Sequence, residues 1–253
     1  MPSVRKGLSS FTIKLIAIAA MLIDHIACAF VPSGTPAAIA MHIVGRLTAP
    51  VMCYFIAEGY YRTRNVYRYM FRLGITAVVS QIPFLMSEVL TKPPVISGIN
   101  GTILNPELFT PSFNVFYTLT LGLIALHIWK CEKNVILKIL VIIGICYISI
   151  PGDWMCFSVL WILFFGIYRE NRAGQLISYY CIAASTAITI LVTNHSRGIP
   201  LINKLWLIGL LFPPILFFSY NGERGNSTKF GKWLFYVFYP LHLFVIGVIK
   251  LYF

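Results

Sequence analysis

Lys14, Asp24 and His25 stand inside one apolar run, FTIKLIAIAAMLIDHIACAF from Phe11 to Phe30, which is long enough to cross a bilayer. Ionisable side chains at that depth are costly and mark function more often than anchoring. Lys14 and His25 are eleven positions apart. At about 100° per residue they share one helix face to within about 20°, roughly 16 Å apart along the axis. They line that face at two depths. An imidazole so placed can take and return a proton at neutral pH.

Other apolar runs supply further candidates. Arg46 lies about two turns into the second run, at a depth comparable with His25, so the two can meet. Asp24, about 100° round the first helix, can partner Arg46, and a structural ion pair is the plain reading of that contact. The stretch AEGYYRTRNVYRYMFRL places Glu58, Arg62, Arg64, Arg68 and Arg72 around one turn. They serve either as lipid headgroup anchors or as a site for a phosphorylated ligand such as a nucleotide cofactor. Asn114, opening the fourth run, either hydrogen-bonds a neighbouring helix or contributes a donor to a site. Asp153 falls between two runs, in a recess open to one side or as the N-cap of a helix starting at Trp154. His242 lies near the middle of the last run, two residues after Pro240. That proline frees the carbonyl of Tyr236 and predicts a kink with a polar opening, although a satisfied core histidine is the simpler alternative. His25, Arg46, Asn114, Asp153 and His242 fall in the outer half or middle of their runs, and Lys14, Glu58, Arg62 and Arg64 towards the inner half. The pattern is a polar passage with two ends.

The elements that must position these groups are membrane helices. The chain has 253 residues, 58% hydrophobic and only 11% charged, against roughly 25% charged in soluble domains. Reading apolar runs between polar turns predicts an all-α, polytopic bundle of about nine spans, within a range of eight to ten. They are Phe11–Val31, Ile39–Tyr61, Tyr69–Leu90, Pro111–Trp129, Val135–Ile150, Trp154–Tyr168, Gly174–Val192, Leu201–Ser219 and Gly231–Tyr252. With the N-terminus cytoplasmic, fourteen of the twenty Lys and Arg residues gather at cytoplasmic ends and four at outer ends, leaving Lys14 and Arg46 inside spans. The net charge of +12 is therefore topology rather than a nucleic-acid surface. Arg5, Lys6 and Ala27-Cys28-Ala29 mimic a cleaved secretory signal, but Asp24 and His25 would sit where its apolar and cleavage regions meet, so the first span is expected to stay. The six cysteines lack a Cys-x-x-Cys pair and read as buried thiols. No metal site is expected, no repeat is clear, and one domain is expected over residues 1–253.

KLIAIAAMLIDHIA, GRLTAPVMCYFIAEGYYRTRNVYRYMFRLG, FNVFYTLTLG, DWMCFSVLWIL and FYPLHLFVIGVIK resemble, in that order, the TraX family. That family is named for a conjugal-transfer protein that acetylates the N-terminus of pilin, and it is related to membrane acyltransferase family 3. The resemblance runs from Lys14 to the end, most specifically in the IDH segment, the GR…P…F…EG run and the terminal YPLH. Lys14 stands where acyltransferase family 3 usually has Arg, and Trp154-Met155 where the TraX pattern tends towards Tyr-Gly.

The resemblance implies an acyl-CoA-dependent acyltransferase in the bacterial cytoplasmic membrane. It would move acetyl from cytosolic acetyl-CoA to an amine or hydroxyl acceptor in or across the bilayer, such as a peptide or pilin N-terminus or a cell-surface glycan. His25 would deprotonate the acceptor or carry the acyl group itself, with His242 as second proton handler and Asp24 beside them. Arg46 and Asn114 would stabilise the oxyanion, Lys14, Glu58, Arg62 and Arg64 would hold the CoA, and Asp153 would face the acceptor. A proton-coupled transporter or channel lined by His25, Asp24, Arg46 and His242 is the competing expectation.

Overall fold

A computed structural model describes residues 7–88, 95–98, 101–104, 111–196, 201–225 and 229–252. Among the described residues the regular structure is helical apart from one antiparallel hairpin, β1 (Val95–Gly98) with β2 (Gly101–Leu104), in the long connection before the fourth apolar run. The helices are α1 (Ser10–Phe30), α2 (Pro36–Gly45), α3 (Thr48–Arg62), α4 (Val66–Glu88), α5 (Val115–Cys131), α6 (Val135–Ile148), α7 (Met155–Ile167), α8 (Arg172–Ser196), a 3-10 helix (Leu201–Leu211), α9 (Pro213–Phe218) and α10 (Lys229–Tyr252). Among the described residues, five stretches are long and apolar enough to cross a membrane: α1, α2 with α3, α4, the part of α8 up to Thr193, and α10 from Trp233. By length and composition this is a multi-pass membrane protein. The remaining apolar segments, 115–131, 135–148, 155–167 and 203–218, are shorter.

The local sequence explains where the helices start. Ser9 accepts a hydrogen bond from the Thr12 amide at the head of α1, and Thr35 one from Ala38 ahead of Pro36 in α2. The second expected span is not continuous. Pro50 has no amide hydrogen, and its ring would clash with the carbonyl of Arg46 in an unbroken helix, so α2 closes at Gly45 and α3 begins at Thr48. The expected span Leu201–Ser219 is likewise divided, into a 3-10 helix and the short α9 that starts on Pro213 and Pro214.

α7 is short because it is central. Trp161 and Ile162 are fully enclosed, and α5, α3, α6 and α8 surround the helix. Around it Tyr54, Phe165, Tyr179 and Phe217 pack edge-to-face and stacked, with centroids 5.1–6.2 Å apart. The opposite case is α6, whose Ile136, Leu140, Ile143 and Tyr147 are exposed and suit contact with lipid. α4 packs along α10, where the Lys250 ammonium donates to the Ser87 carbonyl at 2.9 Å.

Two backbone clasps tie distant segments together. Leu8 exchanges hydrogen bonds with Ser219 and Asn221, drawing the head of α1 to the segment after α9. Phe113 does the same with Pro151 and Asp153, fixing the α6–α7 turn against the start of α5.

Candidate active site

The first cavity, about 420 Å³, is lined by α1, α3, α4, α5, α8 and α10 together with the α6–α7 turn. His25 is on its wall. Behind it the His25 Nδ1 and His242 Nε2 are 2.9 Å apart, and His242 Nδ1 lies 2.8 Å from the Phe238 carbonyl. A carbonyl only accepts, so His242 Nδ1 carries a hydrogen; in the neutral pair, His242 Nε2 then accepts from His25 Nδ1–H. The lone pair of the pair is left on His25 Nε2. The rings of Phe238 and Tyr239 hold His242 at centroid distances of 4.8 and 5.6 Å.

Asp24 does not bond His25. Its Oδ2 accepts from Arg46 at 2.6 Å and its Oδ1 lies 2.7 Å from His42 Nδ1. The plain ion-pair reading of Asp24 is therefore what the geometry displays. Arg46 is further clamped between Trp154 and Trp206, 5.2 and 4.5 Å from its guanidinium carbon. Its Nε is buried without a hydrogen-bond partner among the described residues. Gly45 and Gly209 are where backbones approach: a Cβ at Gly45 would strike the Asp24 carboxylate, and one at Gly209 the Ile43 carbonyl and the Arg46 side chain.

Asp153 reaches the same cavity from the α6–α7 turn, outside the helices. It does not cap α7: Trp154 and Met155 take left-handed φ values of 62° and 48°, and no side chain caps that helix start. Two adjacent non-glycine residues in that region carry strain, next to the contact of the Trp154 ring with Arg46. The surrounding protein pushes the Asp153 carboxyl up to about 6, with Arg46 pulling the other way.

The second cavity, about 300 Å³, opens beside the head of α1 and is lined by Lys14, Arg62, Arg72 and Arg224 against the carboxylate of Glu58. Lys14 lies over the rings of Phe55 and Phe235, at 5.2 and 5.4 Å, and has no ion pair among the described residues. Glu58 is the fixed anion: Arg62 Nε donates to it at 3.2 Å and Arg169 Nε at 2.8 Å. That bond raises the Arg169 guanidinium further above its ordinary range. Arg62 also donates to the Gly222 carbonyl at 2.9 Å, which orders it beside Tyr220.

Met52, Phe116, Leu119 and Phe235 line both cavities, so these four side chains form the partition between them. Phe116 and Leu119 are buried, whereas Met52 and Phe235 are partly accessible.

Most of the expected site residues converge. Asp24, His25, Arg46 and Asp153 line the first cavity with His242 directly behind, and Lys14, Glu58 and Arg62 line the second. Two do not. Asn114 is fully buried and caps α5, accepting from the Phe116 amide and donating to the Ala77 carbonyl and Gln81 Oε1, so no donor is left for an oxyanion. Arg64 is exposed and lines neither cavity, because the chain leaves α3 at Thr63 and carries it outward. Arg72 and Arg224 take the place expected of it. His42 and Trp206 were not anticipated. His42 precedes Arg46 by one helical turn and so shares its face, a readable signal; Trp206 comes from a distant element and has none. Among the described residues no group of His, Cys, Asp or Glu could hold a metal ion.

Residues 9–250 match the family described as TraX protein. A similar curated protein, the probable fimbrial assembly protein FimC, serogroup H1, of Dichelobacter nodosus, is 32% identical over 246 residues, spanning 96% of each chain. No solved structure matches. With the match running from the head of α1 to the last turns of α10, the chain belongs to the TraX family.

Proposed function

We propose that this protein is an integral-membrane acyltransferase that moves an acetyl group from cytosolic acetyl-CoA to an amine or hydroxyl acceptor. The observation that carries the proposal is the pairing of cavities along one face of α1: Lys14 opens into a cationic cavity, and His25, its Nδ1 paired with His242, into an adjoining one. Lys14, Arg62, Arg72 and Arg224 suit the phosphates of CoA, and Glu58 holds Arg62 and Arg169 in place. His25 acts at the thioester with His242 as proton partner. Arg46, fixed by Asp24, offers positive charge to the oxyanion, and Asp153 faces the incoming acceptor.

The excess of cations at one set of helix ends supports a cytoplasmic location for the arginine-lined cavity in a bacterial cytoplasmic membrane. A relationship to membrane acyltransferase family 3 accords with the cation and histidine on α1. The relative's association with fimbrial assembly favours a pilin-type peptide N-terminus as acceptor over a cell-surface glycan. A channel or transporter is less well supported, since four apolar side chains interrupt the passage.

Thermal unfolding of the purified protein tests the cofactor. Saturating CoA or acetyl-CoA at about 100 times its Kd should add about 2.7 kcal/mol of stability. No shift in melting temperature at saturation would contradict the proposal. Acetyl-CoA turnover in His25→Ala should fall by orders of magnitude while the CoA-induced shift is kept.

A further inference from the structure

We propose that His42 is a positioning residue: by occupying one oxygen of Asp24 it restricts Arg46 to a single bond with that carboxylate and leaves the Nη1 amino group of the guanidinium for the substrate. This inference rests on the acyltransferase reading, in which Arg46 meets the oxyanion, and adds the residue that sets its availability. An arginine beside a carboxylate frequently closes on both oxygens with two parallel N–H bonds. Here it does not. Asp24 Oδ1 lies 2.7 Å from His42 Nδ1, and Arg46 reaches only Oδ2, through Nη2 at 2.6 Å. An ionised carboxylate only accepts, so His42 Nδ1 carries the hydrogen and holds Oδ1.

Trp154 and Trp206 hold the guanidinium between them, so its remaining bonds must be made at its edge. Nε is buried without a partner, and Nη1 has no hydrogen-bond partner among the described residues. Arg46 lines the cavity that holds His25, whereas His42 does not, so a ligand there can meet Arg46 and His42 acts only through Asp24. The Trp206 ring also lies edge-on to the His42 ring, 6.5 Å between centroids, and one aromatic surface thus keeps both partners of Asp24 in register. Removing the imidazole would free Oδ1, let the guanidinium close on both oxygens and withdraw its charge from the cavity. The ion pair would tighten and the reaction would slow. As the acceptor attacks, the carbonyl oxygen takes the negative charge, and only a donor already fixed beside it lowers the barrier.

Purified protein in liposomes, given acetyl-CoA and a short synthetic peptide with a free N-terminus as amine acceptor, reports kcat and KM through CoA release. His42→Ala should lower kcat about tenfold or more, with KM for acetyl-CoA within about twofold of wild type and the CoA-induced thermal shift kept. His42→Asn, whose amide can donate to Oδ1 in place of Nδ1, should bring kcat back to within about threefold of wild type. A side chain that only fills space would not produce that split. Arg46→Lys can pair with Asp24 but has no second amino group, so it should lose kcat to a similar degree, and adding His42→Ala to it should cost nothing further. Equal losses in His42→Ala and His42→Asn, a loss confined to KM, or a further fall of about tenfold in the double variant would overturn the positioning role and leave the acyltransferase reading standing. Wild-type protein that neither binds CoA nor releases it from acetyl-CoA would overturn both.

Discussion

Asp24 is gripped from two sides, by Arg46 and His42, in a place where only glycine lets α2 come close enough. Gly45→Ala should push the carboxylate off Arg46 and leave charges unpaired inside the protein, a loss of about 2–3 kcal/mol measured by thermal or denaturant unfolding. Gly144→Ala is the control, because a Cβ there meets nothing and an alanine inside a helix is worth roughly 0.5–1 kcal/mol of gain. Asp153 carries a pH signature. The surrounding protein pushes its carboxyl up to about 6, above the ordinary aspartate value of roughly 4, while the side chain stays open to solvent, so stability falls only modestly as pH rises between those values. Asp153→Asn should therefore match wild type below about pH 4 and exceed it above about pH 6 in a melting-temperature series. Equal pH profiles for the two proteins would contradict that placement. The sequence displayed the members of this cluster without their connections. His25, Asp24 and Arg46 were readable as ionisable groups in apolar runs; that His242 backs His25 while Asp24 turns away depends on how α10 and α2 pack on α1.

The break between α2 and α3 is the element that makes the site. Pro50, in the first turn of α3, breaks the helical path ahead of it at Arg46 and Leu47, and that turn aims the guanidinium at Asp24 rather than along a continuous face. The proline was legible; apolar content on both sides of it concealed its effect, and the run read as one span. α7 was expected as the short span Trp154–Tyr168, and its enclosure by neighbouring helices explains both its length and its lack of a polar face. On the arginine-rich turn, closeness in sequence placed Arg62 and Arg64 together, yet only Arg62 stays on α3. Arg224 comes from the segment that the Leu8 clasp pulls in, a long-range pairing invisible in a linear reading. Arg62→Ala and Arg224→Ala should each weaken CoA binding by about 1.5–3 kcal/mol, about tenfold or more in Kd, and Arg64→Ala should change it little. Equal effects at all three positions in calorimetric titration would return them to lipid anchoring.

Across the whole molecule, a cationic cavity and a histidine-bearing cavity meet at a partition of four apolar side chains, two packed firmly on α5 and two, Met52 and Phe235, less enclosed. Such a seal keeps water from forming a continuous column between the two sides while a ligand threads it. The double variant Met52→Ala with Phe235→Ala should raise proton leak in dye-loaded proteoliposomes severalfold over wild type; unchanged leak would place the barrier elsewhere. The nine apolar runs and their charge bias were plain in composition, because lipid demands them. The cavities were not, because they arise from which faces meet. The most direct measurement is an experimental structure with a non-transferable acetyl-CoA analogue. The account predicts phosphates among Arg62, Arg72 and Arg224, the chain passing Lys14, and the acyl carbon within about 3.5 Å of His25 Nε2. An analogue bound away from these residues, or with its acyl end remote from His25, would contradict it.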